Sequence, residues 1–317
     1  MADRGLSTTF LNDLRAGCLA PLLERVKRDD TLHLAIRNQY INIYYRGGNL
    51  LRVSRNPNGV GTASIYTATF DPHYFTGSYP KTFGECPGRI AREGDCAKWV
   101  DAFPFLKQEM DLWFAGHPKI EREYQQLVAR ANNRAHGATA TDYFIIDIEY
   151  AQGEDRFDMI AAFWESSGPM RKAAHARLAL IEMKYGDGAL TGAAGIDKHI
   201  RGMNRFAATP GLLDRVKAEA IAMFEQQLEL ETIRAPKAIV EFTAEEPEFI
   251  LFLMDHDPDS SKLKSALLDI GAGIPAPAGY ELKLCAATFM GLGLFKQSVL
   301  GLPEFLNRMR GQIHSRD

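Results

Sequence analysis

The chain has 317 residues, 46% of them hydrophobic and 24% charged, with a formal net charge of −3. Such a length accommodates one large domain or two ordinary ones with ample core, and the composition is that of a soluble globular protein. The slightly acidic balance argues against a protein that coats nucleic acid without specificity. No stretch is long and apolar enough to span a bilayer, and Met1 to Gly5 opens no secretory apolar segment, so a cytoplasmic chain is expected.

From the N-terminus, Thr8 to Lys27 reads as one helix, because Phe10, Leu11, Leu14, Cys18, Leu22 and Val26 recur at helical spacing. Leu32 to Ile36 alternates as a strand. Gln39 to Tyr45 and Leu50 to Ser54 flank Arg46-Gly47-Gly48-Asn49, a hairpin signal, and Ala63 to Phe70 reads as one more strand. This small sheet is rich in Tyr40, Tyr44, Tyr45, Arg46, Arg52 and Arg55. Aromatic and basic side chains can stack on and hold a nucleic-acid strand, but half-buried strand positions are the commoner role and the favoured one. Thr76 to Asp95 has no periodicity and is expected to be a loop. Trp99, Phe103, Leu106, Met110 and Trp113 then share one face of a helix running to Phe114, as core packing does. Gly116-His117-Pro118 is the expected junction between an N-terminal region, 1–117, and a domain spanning 118–317.

A helix over Pro118 to Ala135 precedes three consecutive strands: Tyr143 to Tyr150, Arg156 to Trp164 and Arg177 to Tyr185. Side chains alternate faces along a strand, so Glu182 and Lys184 point the same way. An apolar strand ending in a carboxylate and an ammonium places charge beside a hydrophobic core, which calls for a partner. If Gly153-Glu154 form a two-residue turn, Glu149 lies opposite Asp158. Two carboxylates facing across an antiparallel pair sit about 5 Å apart and repel unless something positive lies between them. A hard divalent cation held by Asp158, Glu182 and Glu149, with Lys184 beside it, removes the repulsion and makes a reaction centre. The alternative is a charge cluster in which Lys184 pairs with Asp158 or Glu182 as a plain salt bridge.

Further on, Gly186 to Gly192 follows a strand and precedes a helix at about Ala193 to Phe206. That order invites a dinucleotide-binding reading, but the third glycine of Gly-x-Gly-x-x-Gly would fall at Thr191. A helix is expected from Gly211 to about Thr232, strands at Ala238 to Phe242, Glu248 to Met254 and Glu281 to Ala287, and a closing helix from Ser298 to Ile313. Asp255-His256-Asp257 ends one strand and either touches substrate or metal or turns into a Ser260-capped helix. Cys18, Cys86, Cys96 and Cys285 are scattered without Cys-x-x-Cys spacing and are expected as reduced thiols. Between Glu165 and Arg205, seven Lys and Arg face four acids, an excess of three. Arg171, Lys172 and His175 in the loop before the third strand, and Lys198 and His199 on the following helix, are candidate phosphate contacts or ordinary solvated residues.

An Asp in a strand after a turn, a strand ending Glu182-Met183-Lys184, then a glycine-containing loop and a helix resemble the PD-(D/E)xK nuclease superfamily. The resemblance covers about Pro118 to His256; Phe157 stands where that family often has proline. It implies a restriction-endonuclease-like core, an α/β fold with helices flanking a central mixed sheet, preceded here by the N-terminal helix and small sheet. It implies Asp158, Glu182 and the Met183 backbone carbonyl as ligands for Mg²⁺ or Mn²⁺, with Lys184 positioning or activating water. An acidic residue on the first helix often joins such a site; Glu123 is the candidate and Glu121 its competitor. The expected activity is metal-dependent DNA endonuclease cleavage, in a setting such as restriction or defence, with DNA preferred to RNA as partner and a homodimer admitted. A non-catalytic nucleic-acid-binding or assembly module on the same fold is the alternative, and a dinucleotide-binding protein the weaker one.

Overall fold

The computed structural model describes residues 4–313 except 57–64, 76–85, 135–139, 153–154, 174, 193–194, 257–260, 288–293 and 295. The chain divides into two units, one of Met1–Gln126 with Ala222–Arg234, the other of Leu127–Ile221 with Ala235–Asp317.

The first unit opens with two helices where one was expected, α1 (Thr8–Ala16) and α2 (Ala20–Arg28). Ser7 caps α1 by accepting the Phe10 N–H on its side chain. The break follows at Gly17, where a Cβ would stand 2.4 Å from Asp13 Oδ1. Pro21 then suits only the first turn of a new helix. Apolar spacing runs on across the break because both helices bury their stripes, Phe10, Leu11 and Leu14 then Leu22, Leu23 and Val26.

Next come β1 (Leu32–Ile36), β2 (Tyr40–Tyr45), β3 (Gly48–Arg55), β4 (Tyr66–Thr69) and β5 (Arg89–Ile90), an antiparallel sheet in that order. The expected hairpin forms on Tyr45↔Gly48, with Arg46 and Gly47 at φ 46° and 77° in the turn. Two positive φ values match the right-handed twist of the flanking strands. Of the expected strand from Ala63 to Phe70, residues 63–64 lie outside the described part, and the strand covers Tyr66–Thr69. In α3 (Glu93–Gly116), Phe114 completes the buried stripe of Trp99, Phe103, Leu106 and Met110, while Trp113 is only half-buried. The helix α4 (Ile120–Asn133) follows, and the division between units falls within it, later than the Gly116–Pro118 junction.

In the second unit, the end of α4 leads to β6 (Tyr143–Gln152), β7 (Asp155–Phe163), α5 (Gly168–Lys172), β8 (His175–Tyr185), α6 (Ile196–Ala208) and the start of α7 (Leu212–Glu229), whose residues from Ala222 on belong to the first unit. Then follow β9 (Glu241–Phe242), β10 (Glu248–Met254), α8 (Ser261–Leu268), β11 (Glu281–Ala287), β12 (Leu300–Gly301) and α9 (Leu302–Ile313). The sheet order is β12-β11-β10-β8-β7-β6, with β9 also on β8. Strands β6, β7 and β8 are antiparallel neighbours, whereas β8, β10 and β11 run parallel. A parallel pair needs a long crossover, and α6 and α7 lie between β8 and β10 in the chain. Every residue of β10 is buried, which is why Phe249 to Met254 reads as an unbroken apolar run, and Glu248 at its start is paired with Arg177. The molecule is thus mixed α/β. The closing helix starts at Leu302 rather than Ser298, because Leu300–Gly301 pair with Lys283–Leu284 of β11 and Pro303 suits a first helical turn. Likewise, the loop expected before the third strand holds α5, and the segment from Ala238 becomes a strand only at Glu241.

Candidate metal centre at the end of β8

The ladder between β7 and β8 runs from Phe163↔Arg177 to Met159↔Ile181 and stops there. Asp158 is the next residue on β7, and its Oδ2 accepts the Met183 N–H at 2.8 Å. A side chain has replaced the neighbouring backbone, so the carboxylate is held at the point where the strands part. In a strand the N–H and C=O of one residue face the same side, so the Met183 carbonyl also looks toward β7 beyond the ladder's end.

Glu182 and Lys184 follow on one face of β8, beside Leu251 and Leu253 of β10. They are only 5% and 3% exposed. Two charges in such a setting carry a heavy desolvation cost unless they are paired. Lys184 Nζ donates to Glu182 Oε1 at 2.7 Å, so the simple ion pair is present. It is not alone. Carboxylate oxygens of Asp158 and Glu182 lie within 4.8 Å of each other, Glu182 buried and Asp158 half-buried.

Two carboxylates and one ammonium leave a net negative charge that a divalent cation can balance. Oxygen-only donors suit Mg²⁺ or Mn²⁺ rather than a soft metal. Octahedral Mg²⁺ at about 2.1 Å from each ligand places ligand oxygens roughly 3 to 4.2 Å apart, so the spread of the two groups needs only a small rotamer closure. The residues fit such an ion.

Beside the pair stands His199 on α6, with Nε2 3.0 Å from Lys184 Nζ and Nδ1 3.1 Å from Glu182 Oε1. It belongs to the centre itself, whereas its sequence suggested only a phosphate contact.

The remaining candidates are distributed differently. The hairpin register holds, with Tyr150↔Phe157 and Gln152↔Asp155, although turn residues Gly153 and Glu154 lie outside the described residues. Glu149, expected opposite Asp158, has φ 53° and no place in the ladder, so its backbone leaves the regular pleat at that point. Left-handed backbone costs a residue with a Cβ about 1–2 kcal/mol, and such strain gathers at functional sites. Glu123 turns to Arg46, whose Nε donates to its Oε1 at 3.0 Å. Arg171 is used structurally, lying over the Phe144 and Trp164 rings and donating to the Glu165 and Thr141 carbonyls. Burial pulls its guanidinium below the ordinary value, against the opposing pull of Asp142. His175 Nδ1 lies 2.7 Å from Glu241, and Lys172 and Lys198 are exposed. Much of the local basic excess is likewise neutralised: Arg177 by Glu248 and Glu281, Arg201 by Asp197, Arg205 by Asp155.

From the Asp255-His256-Asp257 trio, Asp257 lies outside the described residues. His256 is buried at the end of β10, with Nδ1 2.9 Å from Asp187 Oδ1 and Nε2 3.1 Å from the Lys184 carbonyl. It ties the turn after β8 to the strand that carries Lys184. No spacing in the sequence links His256 to Asp187, 69 residues away.

The four cysteines are free thiols, and among the described residues no helix is long and apolar enough to cross a membrane. In comparison with known proteins, the chain matches no family model, no curated protein and no solved structure.

Proposed function

We propose that the protein is a divalent-metal-dependent phosphodiesterase, a nuclease with DNA as the preferred substrate, whose second unit is a restriction-endonuclease-like core. The observation that carries this reading is the gathering of the Asp158 and Glu182 carboxylates beside the buried Lys184 amine. A bound Mg²⁺ would supply a water of lowered pKa and neutralise charge at the phosphoryl and leaving oxygens.

The protein's own groups do the rest. Asp158 and Glu182 would hold the ion, with the Met183 carbonyl as a further ligand. Asp158 is kept from swinging by the Met183 N–H. Lys184 places a compact positive charge where a phosphate oxygen or the attacking water can use it. Lys172 and Lys198 are exposed cations that could meet a phosphate backbone. Free thiols and the absence of any required cysteine chemistry suit a cytoplasmic enzyme.

A second reading, a nucleic-acid-binding or assembly module without activity, is favoured by one feature: Lys184 already neutralises Glu182. Plasmid, linear and single-stranded DNA and RNA, each incubated with Mg²⁺, Mn²⁺ or EDTA, separate the two. The nuclease reading expects metal-dependent cleavage of DNA that falls by at least about a hundredfold in Asp158→Ala and in Lys184→Ala, as loss of a principal charge-stabilising group does. Retarded migration of nucleic acid with no cleavage under any metal would support the module instead. A rise in melting temperature with a nicotinamide dinucleotide, and no cleavage, would point to dinucleotide binding.

A further inference from the structure

The small sheet of the first unit has two faces of different character. Ile41, Val53, Ala68 and Ile90 lie on one of them and are buried. Cross-strand partners share a face, so Arg89, Thr67, Ser54 and Tyr40 form a row across β5, β4, β3 and β2 on the other. Thr69, Arg52 and Asn42 form the next row, two residues along each strand. Arg52, Thr69 and Arg89 are exposed, and the rest are half-buried. The Arg52 guanidinium carbon lies 4.0 Å from the centre of the Tyr40 ring.

Other aromatic and basic groups of this unit are engaged. Tyr44 is buried and accepts from Arg37, while Tyr45 and Arg46 both donate to Asp111. Arg15 pairs with Glu229 and Arg25 with Asp29. Arg52 and Arg89 have no carboxylate partner among the described residues. Strands β1 to β5 contain no aspartate or glutamate at all. The face is therefore positive, and nothing on it neutralises that charge.

We propose that this face binds single-stranded nucleic acid. The proposal concerns the first unit and goes beyond the nuclease reading, on which it does not rest. Arg52 and Arg89 present planar forks that match phosphate oxygens. The Arg52–Tyr40 pair offers a π surface on which a base stacks. Ser54, Thr67, Thr69 and Asn42 offer hydrogen bonds to base edges around it. A duplex keeps its base faces inside its own stack, so an open sheet surface of this kind suits an unpaired strand. From Arg89 to Tyr40 the row spans about 14 Å, and sheet faces four strands wide hold two or three bases. Two guanidinium groups make a local contact, in keeping with a chain whose net charge is −3.

The test uses the full chain in EDTA and fluorescence anisotropy of a labelled oligodeoxythymidylate of about 15 nucleotides. The parent should bind this strand at least about tenfold more tightly than a labelled duplex of equal length, since only the strand can stack. Arg52→Ala and Arg89→Ala should each weaken binding about tenfold and make the log–log salt dependence shallower by about 0.7. Tyr40→Leu should weaken binding about tenfold without changing that slope, and Tyr40→Phe should stay within about twofold, because the ring does the stacking. Arg28→Ala removes an exposed charge on α2 and should stay within about twofold. No binding by the parent, a duplex bound as tightly as the strand, or an equal loss in Arg28→Ala would overturn the proposal. Failure of the nuclease reading looks different: no metal supports cleavage, while binding in EDTA comes out as expected. Metal-dependent cleavage together with unchanged binding in Tyr40→Leu and Arg52→Ala would sink this proposal alone.

Discussion

Glu121 and Glu123 stand two residues apart on α4, so they lie on different faces of the helix and cannot serve one site together. Glu123 takes the Arg46 side, where Arg46 also donates to Asp111 at 2.8 Å. That arrangement is built on the hairpin turn: a Cβ at Gly47 would stand 2.8 Å from the Arg122 Cβ and 2.9 Å from the Glu123 nitrogen, so only glycine admits this approach. Both acids were visible as candidates in the sequence. Which of them Arg46 would take was not, because helical phase is set by packing and not by the acid's neighbours. Asp158→Asn should weaken Mn²⁺ binding about tenfold, a loss of about 1.4 kcal/mol, by calorimetry. Glu123→Gln should leave that affinity within about twofold, and should lower unfolding stability by less than about 1 kcal/mol because its ion pair is largely exposed.

At the scale of elements, the strands were the most legible part. Period-two patterning placed β6, β7 and β8, and an expected short turn gave the register of β6 on β7, because strand pairing through such a turn leaves little freedom. Helix ends were less legible. Continuous apolar spacing hid the break between α1 and α2, since both halves bury the same kind of stripe, and only Gly17 and Pro21 mark it. The end of α7 has its own signature in Glu231 at φ 57°, with the Thr232 N–H bonded to the Gln227 carbonyl at 2.9 Å. This is the left-handed position that usually takes glycine. Glu231→Gly and Glu231→Val should therefore differ in unfolding free energy by about 1–2 kcal/mol, glycine the more stable, in urea titrations. An outcome in which valine matches glycine would mean that this backbone geometry is not kept in solution.

Over the whole molecule, stability should depend on acid in a traceable way. Burial pushes the Asp29 carboxyl up, but the Lys107 ammonium and the Thr31 hydroxyl and N–H outweigh it and hold the group down at about 2, below its ordinary 3.8. A depressed folded-state value means that this contribution is complete above about pH 4 and is lost as pH falls toward 2. Thermal unfolding of the parent should therefore drop more steeply between pH 4 and pH 2 than that of Asp29→Asn. Parallel curves for the two proteins would show that the Lys107 contact does not persist.

Local pattern alone determined the mixed helix-and-strand character, the hairpin registers, the apolar β10 and the shared face of Glu182 and Lys184. Each of these depends on neighbours a few residues away, where backbone period and turn chemistry leave few choices. Tertiary structure alone decided the convergence: Asp158 at the end of a ladder, His199 from α6 and the His256 clasp on the turn after β8. Long-range placement depends on how helices seat against the sheet, and that is set by the packing of buried surface, which carries no fixed distance along the chain.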